Sequence, residues 1–455
     1  MQYANMNRRS FMKHLGTGVA AFAVQSTLSG AGAAEQNADI LGGVDDRIAK
    51  YRMAENTLKL VDTNGRPLKG GAQIRICQTR HKFLFGCNLF KLGRCETQQD
   101  NQHYAERFAA LLNFATLPFY WWNYTARRGH PDDERTERAV EWCQRREITT
   151  KGHPLAWNYA EPRWLPDDPE GVMAEQLARI KRCVEKFEGN INIWDVVNEA
   201  TAYDRARCKE HAPKLTAAIE QMGVGRYVRQ AFEAAREANP DATLLINDYR
   251  TDPAYAEKVI SELEDDRGRP MYDVIGIQSH MHGGYWGLKK TWDVCERFAR
   301  FGKPLHFTET TLVSGAQGWE LQKRRKDPNF KWGTTAEGER RQAQQVVEFY
   351  RILFSHPAVE AITWWDFTDP NAWQWAPAGL VRADMSPKPA YEELMKLIKG
   401  KWWTTIDGKP DQNGRLKLRG FCGDYRVEAR RGDTRLEGGF RLDKGMAEQT
   451  VRLHR

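Results

Sequence analysis

A closed barrel of eight parallel strands alternating with helices, (β/α)8, is the fold class this sequence predicts, and three observations predict it. Short apolar runs alternate with longer amphipathic stretches eight times between residues 81 and 400. The runs are apolar nearly throughout, as strands covered on both faces must be. Polar residues then gather at the carboxyl ends of many runs: Asn88, Asn158, Glu199, Asp248, His280, Glu309 and Asp369. A closed ring brings that many strand ends to one place, whereas an open doubly wound sheet converges only a few at its switch point.

Taken in order, residues 1–34 read as a targeting segment. Arg8-Arg9 and Lys13 precede a mild apolar stretch from Leu15 to Leu28, and Ala31-Gly32-Ala33 supplies a small-residue cleavage pattern. The segment resembles a twin-arginine export signal, which implies a bacterial protein that is periplasmic or secreted and begins near Ala34. The apolar stretch is short and rich in Gly and Ala, so no membrane span is expected in the mature chain. Residues 35–80 are expected to form a helix and a β-hairpin, with strands at 56–61 and 72–78 around the turn signal Asp62-Thr63-Asn64-Gly65-Arg66-Pro67.

The barrel strands fall at 83–88, 112–119, 148–157, 191–199, 243–249, 274–280, 304–310 and 361–367, with helices at 171–188, 214–238 and 338–355 among those between them. Residues 401–455 change period. Tyr425, Val427 and Ala429 alternate with Arg426, Glu428 and Arg430, the mark of antiparallel strands. A lone hairpin is marginal, so the two strands before the barrel and about four after it are expected to join into one small β-module.

Composition narrows the function. Of 455 residues, 68 are Lys or Arg and 60 are Asp or Glu, a net charge of +8. The excess sits in the two ends and leaves the body neutral, which argues against nucleic acid or an anionic membrane as the main partner. The 16 tryptophans exceed what a core requires and offer faces on which sugar rings stack. The eight cysteines are dispersed without a zinc-like spacing and read mostly as buried small hydrophobes. His280 and His282 lack a third ligand at sensible spacing, so neither metal nor cofactor is expected.

Two runs carry the chemistry. Ile193-Trp194-Asp195-Val196-Val197-Asn198-Glu199 ends an apolar strand in an amide and a carboxylate, and His306-Phe307-Thr308-Glu309-Thr310 ends another in a carboxylate. On the fourth and seventh strands of a barrel these acids face each other across the mouth. Such a pair suits glycosidic bond cleavage, with one acid protonating the departing oxygen while the other attacks the anomeric carbon; about 5 Å between them means retention. A general acid at neutral pH needs a raised pKa, which burial beside Trp194 and a second carboxylate would supply.

These runs, with GIQSHMH, INDY and PKPAY, resemble glycoside hydrolase family 10, the retaining endo-β-1,4-xylanases of clan A, over about residues 80–398. The resemblance implies a retaining hydrolase of β-linked plant polysaccharide or oligosaccharide, with Glu199 as acid/base and Glu309 as nucleophile. It implies that Asn198 bonds the 2-hydroxyl at the cleaved sugar and that His280, with Gln278 beside it, holds Glu309. It further implies that Trp365 and Trp373 wall the sugar, with His153, Trp157 and Asn158 at the substrate and Asp195 and Asp248 in support. A non-catalytic carbohydrate-binding protein on the same scaffold is the alternative, and Asn198 and His280 beside both acids speak against it. A barrel enzyme for phosphorylated metabolites would need a glycine-lined phosphate turn that Gly315 and Gly318 do not supply.

The chain also departs from the family pattern. Where the family carries T-x-E-N-x-M-K-W on strand two, this sequence reads Thr116-Leu117-Pro118-Phe119-Tyr120-Trp121-Trp122-Asn123, and the last His of GHxLxWH is Asn158. Each buried hydroxyl left without its partner costs about 1–3 kcal/mol. The expectation is therefore a changed substrate (another β-linked glycan, decorated xylan or chain ends), with Trp121 and Trp122 filling or walling that subsite. The insertion at 314–339 carries Lys323-Arg324-Arg325-Lys326, which reads first as a solvated charge run and second as a contact for an acidic sugar substituent.

Overall fold

The computed structural model describes residues 40–68, 71–327 and 329–455; the targeting segment at 1–34 lies outside them. Two strands come first, β1 (Met53–Val61) and β2 (Gln73–His81). Then β3 (Leu84–Asn88), β4 (Phe114–Pro118), β5 (Thr149–His153), β6 (Ile193–Asn198), β7 (Thr243–Asp248), β8 (Val274–Ile277), β9 (Leu305–Thr310) and β10 (Val359–Trp364) close into one barrel. All neighbours are parallel, and β10 pairs with both β9 and β3. The protein is a (β/α)8 barrel.

Local chemistry sets the element ends. The third barrel strand stops at His153 because Pro154 has no N–H to give the ladder. Its Gly152 is needed where it stands, since a Cβ there would meet the Trp194 ring at 2.1 Å. The helix Pro169–Lys186 starts with Asp168 accepting from Gly171 N at 2.6 Å and Pro169 in the first turn. The single helix expected over 214–238 is two, Pro213–Met222 and Val224–Ala238, broken at Gly223 with φ 87°. Among the described residues no helix is long and apolar enough to cross a membrane.

The expected hairpin within residues 35–80 does not form. β1 lies between β12 (Arg415–Phe421), antiparallel, and β15 (Glu448–Arg452), parallel. β2 lies between β11 (Thr405–Gly408) and β13 (Gly423–Arg431), with β14 (Thr434–Leu442) beyond. The reason is burial. Leu58 and Leu60 of β1 and Ile74 and Ile76 of β2 share one small core with Val427, Leu442, Val451 and Leu453, so their covering comes from the far end of the chain. A helix, Val44–Arg52, precedes β1, and its Ile48 packs into the barrel core instead. All eight cysteines are free thiols, six of them buried.

Candidate active site

The mouth is built from the ends of β5 to β10. Glu199 follows the last residue of β6 and takes a left-handed backbone, φ 58°. Ser279 beyond β8 (φ 54°) and Asp366 beyond β10 (φ 70°) do the same. Three non-glycine residues in that region at one end of one barrel mark a site where backbone strain is tolerated for position.

Glu309, near the end of β9, is 4% exposed. Its Oε1 accepts from Asn247 Nδ2 at 2.9 Å and lies 3.9 Å from His153 Nε2, and its Oε2 accepts from His280 Nε2 at 3.2 Å. Burial opposes its charge, but His153, then His280 and Lys151, outweigh it and hold Glu309 below the ordinary glutamate range. His280 Nδ1 faces the Thr311 hydroxyl at 2.9 Å, which fixes the ring. Behind His153 stands a closed group: Asp195 Oδ2 accepts from His153 Nδ1 at 2.7 Å and from Lys151 Nζ at 2.6 Å, all fully buried. Burial raises Asp195, yet Lys151 and His153 pull it below its usual value.

Glu199 Oε1 accepts from Gln278 Nε2 at 3.2 Å, and Oε2 accepts from Arg205 Nη2. One chain of amides joins the two acids. Gln278 Nε2 also reaches Asn198 Oδ1 at 3.1 Å, and Asn247 Nδ2 donates to both Asn198 Oδ1 and Glu309 Oε1, each at 2.9 Å. The bridging groups come from β7 and from the residue after β8, the strands between those that carry the acids. With Oδ1 doubly occupied, Asn198 keeps its NH2 for a ligand hydroxyl.

Aromatic rings form one wall. Trp157 stacks on Tyr159 at 4.4 Å, Trp122 lies 5.1 Å from Tyr120 and 6.0 Å from Trp157, and Trp373 lies 5.8 Å from Tyr159. Trp365, nearly buried, stands 5.4 Å from His153 and 6.1 Å from His280. Trp122 thus joins the wall where the polar grips of strand two are missing. Trp121 turns the other way, buried against Trp164 and the Arg179 guanidinium.

Other expected residues have different surroundings. Asn158 spends its NH2 on Tyr203 O (2.7 Å) and Thr216 Oγ1 (2.9 Å), tying its loop to the helix Pro213–Met222. Trp194 is core, against Phe119 and Gly152, and does not wall Glu199. Asp248 accepts from Thr201 N and Oγ1 and so holds the loop after Glu199; burial pushes it up to about 6. In the charged insertion, Arg324 pairs with Glu320, while Arg325 lies over Trp332 and reaches Gln374 Oε1 at 3.4 Å, beside Trp373.

Three site residues escaped the sequence reading. Asn247 lies inside INDY, where Asp248 drew the attention. Arg205 is an ordinary loop cation until the fold returns it to Glu199. Asp366 lies in WWDF between rings; its Oδ2 accepts from Trp373 N at 2.6 Å. Burial pushes Asp366 up to about 6 against Trp373 N, Lys91, Asn88 and His280, which all pull it down. A carboxyl raised in the folded state supports folding below its unfolded value and loses that support as pH rises through about 6. Asp366→Asn, tolerated at positive φ, is expected to match the parent at pH 4 and to gain about 2–3 kcal/mol by pH 8, read from urea unfolding at both pH values.

Among the described residues no cluster of three or more His, Cys, Asp or Glu could hold a metal. The sequence profile of glycosyl hydrolase family 10 matches residues 80–397. Endo-1,4-beta-xylanase B of Thermotoga neapolitana is 29% identical over 297 residues, 60% of this chain and 77% of that protein. Beta-1,4-xylanase of Dictyoglomus thermophilum is 29% identical over 274 residues, 57% of this chain and 74% of that one. Native xylanase 10B of Thermotoga maritima superposes with a TM-score of 0.56 at 25% identity, covering 70% of this chain and 96% of its own. With a profile match running from β2 to the helix after β10, the chain belongs to glycosyl hydrolase family 10.

Proposed function

We propose that this protein is an exported retaining glycoside hydrolase that cleaves a β-1,4-linked, xylan-like glycan with Glu309 as nucleophile and Glu199 as acid/base. As a member of its family the chain is a glycoside hydrolase of the endo-xylanase type. The observation that carries the assignment of roles is the unequal setting of the two acids. Glu309 is held ionised by two imidazoles and Lys151, as a nucleophile needs, while Glu199 sits in the cleft with an amide and a guanidinium.

In the first step Glu309 forms a bond to the anomeric carbon as the bond from that carbon to the leaving oxygen breaks, and the Glu199 proton goes to that oxygen. In the second, water attacks the same carbon, gives its proton to Glu199 and frees Glu309. Asn198 is joined to each acid through one amide, Gln278 on the side of Glu199 and Asn247 on that of Glu309, and its NH2 is suited to the 2-hydroxyl, where such contacts strengthen in the transition state. Proton NMR of β-1,4-xylohexaose hydrolysis is expected to show the β-anomer of the new reducing end first; α-anomer first rejects the mechanism.

The aromatic wall of Tyr120, Trp122, Trp157 and Tyr159 supports a substrate choice shifted away from plain xylan. Internal cleavage of unsubstituted xylohexaose is then slower than cleavage of a preferred glycan; equal rates reject the shift. Export rests on Arg8-Arg9 and the small-residue site after it. Secreted protein beginning near Ala34 is the expected result, and retention of the intact chain in the cytoplasm rejects it.

A further inference from the structure

The contact between Arg205 and Glu199 conflicts with the work of a proton donor. Burial works against the charge of Arg205, but the carboxylate of Glu199 more than restores it, so the two rest as an ion pair. A guanidinium in contact favours the carboxylate, whereas the first step of a retaining hydrolase needs the acid with its proton on. The other groups facing Glu199 leave Arg205 in place. Cys208 stands on the same loop, Asp248 and Tyr249 come from the end of β7, and Gln278 from beyond β8; the one carboxyl among them, Asp248, is held by Thr201 and by the Arg250 N–H and does not pair with Arg205.

The pairing at this edge is also incomplete. Glu199 is the only carboxylate paired with Arg205 among the described residues, and the Arg205 Nε is buried without a hydrogen-bond partner. Two residues on, the Arg207 guanidinium lies 4.1 Å over the Tyr159 ring, on the aromatic wall. Its Nε too is buried without a partner, and no described carboxylate pairs with it. Arg205 is about a third exposed and lies 5.7 Å from the ring of Tyr249, itself exposed. Beside the acid, then, stand two guanidinium groups, and Glu199 is the one described carboxylate that pairs with either of them.

We infer that Arg205 is a positioning and specificity residue that exchanges Glu199 for a carboxylate on the leaving-group side of the substrate, so that the cleft prefers a glycan bearing a uronic acid there. This rests on the retaining-glycosidase reading above. The guanidinium fork matches a carboxylate in two parallel bonds, which a neutral sugar cannot offer. When the substrate carboxylate takes Arg205, Glu199 keeps only the neutral amide of Gln278 and can carry a proton drawn from the solvent pool. That proton passes to the leaving oxygen as Glu309 bonds to the anomeric carbon. The departing fragment carries its carboxylate away, the proton that the attacking water leaves on Glu199 in the second step goes to solvent, and Arg205 returns to the Glu199 carboxylate.

The test uses three β-1,4-xylo-oligosaccharides of one length: unbranched, with a glucuronic acid branch, and with that branch reduced to a neutral glucose. For the full-length protein, kcat/KM on the acidic branch is expected to exceed that on the reduced branch by about tenfold or more, with the branch on the released fragment. Arg205→Gln abolishes that preference and moves the alkaline limb of the neutral-substrate profile to higher pH by about one unit, while Arg205→Lys keeps part of the preference. Equal kcat/KM on acidic and reduced branches overturns the inference and leaves the glycosidase reading standing. So does an Arg205→Gln variant that loses both substrates alike with its pH profile unmoved. No turnover of any of the three by the parent rejects the glycosidase reading and this inference with it.

Discussion

Glu309→Ala is expected to lower kcat by about 10⁴-fold or more on every glycoside offered, some 5–6 kcal/mol of transition-state stabilisation. The carboxylate that would bond to the anomeric carbon is gone, and His280, Asn247 and His153 converge on Glu309 rather than on any group that could replace it. Glu199→Ala should behave differently. A natural leaving group departs as an alkoxide without its proton and so loses about 10²–10⁴-fold, whereas a 2,4-dinitrophenolate needs no proton and its release is spared. The two variants thus separate the roles by leaving group. If Glu199→Ala loses the dinitrophenyl and natural substrates alike, or Glu309→Ala retains the dinitrophenyl one, the roles assigned here are wrong.

Lys151→Met is expected to destabilise the fold by about 3–5 kcal/mol near neutral pH, the cost of stranding a buried charge. Lys151, His153 and Asp195 have no contact with water, and Asp195 is ionised because of the other two. Its lowered pKa means a contribution to stability present above the unfolded value and lost as pH falls. The deficit of the variant should therefore shrink as the pH drops and Asp195 gains a proton. Adding Asp195→Asn should recover part of the deficit at neutral pH, since no buried charge is then left alone. Chemical denaturation of parent, single and double variants between pH 4 and pH 8 measures all of this. A deficit that is flat with pH would show that Lys151 acts through packing alone.

The barrel was legible because a parallel strand covered on both faces leaves a mark that periodicity cannot disguise, eight times over. Glu199 and Glu309 were legible because each ends such a run. What the sequence withheld depends on neighbours across the ladder. Asn247 matters only because its strand passes between Asn198 and Glu309, and Arg205 only because a short 3₁₀ turn, Ala200–Ala202, bends the chain back on itself. Trp121 and Trp122 are adjacent and chemically alike, yet a short helix over Trp121–Tyr124 sends one into the core and the other to the wall. Asn158 looked like a sugar ligand because the partners that occupy it, Tyr203 and Thr216, lie far along the chain. β1 and β2 looked like a hairpin for a similar reason: their true partners are more than three hundred residues away.

That last separation governs how the molecule is born. β1 leaves the ribosome long before its partners do, and it is flanked only once residues 415–421 and 448–452 have followed it out. Until then its backbone edges stay open to any other extended chain, and loops of this length form late. The clasp between the strands before the barrel and those after it is thus a late act of assembly, and a nascent chain cut short before residue 448 would leave one edge of β1 open in a crowded cell.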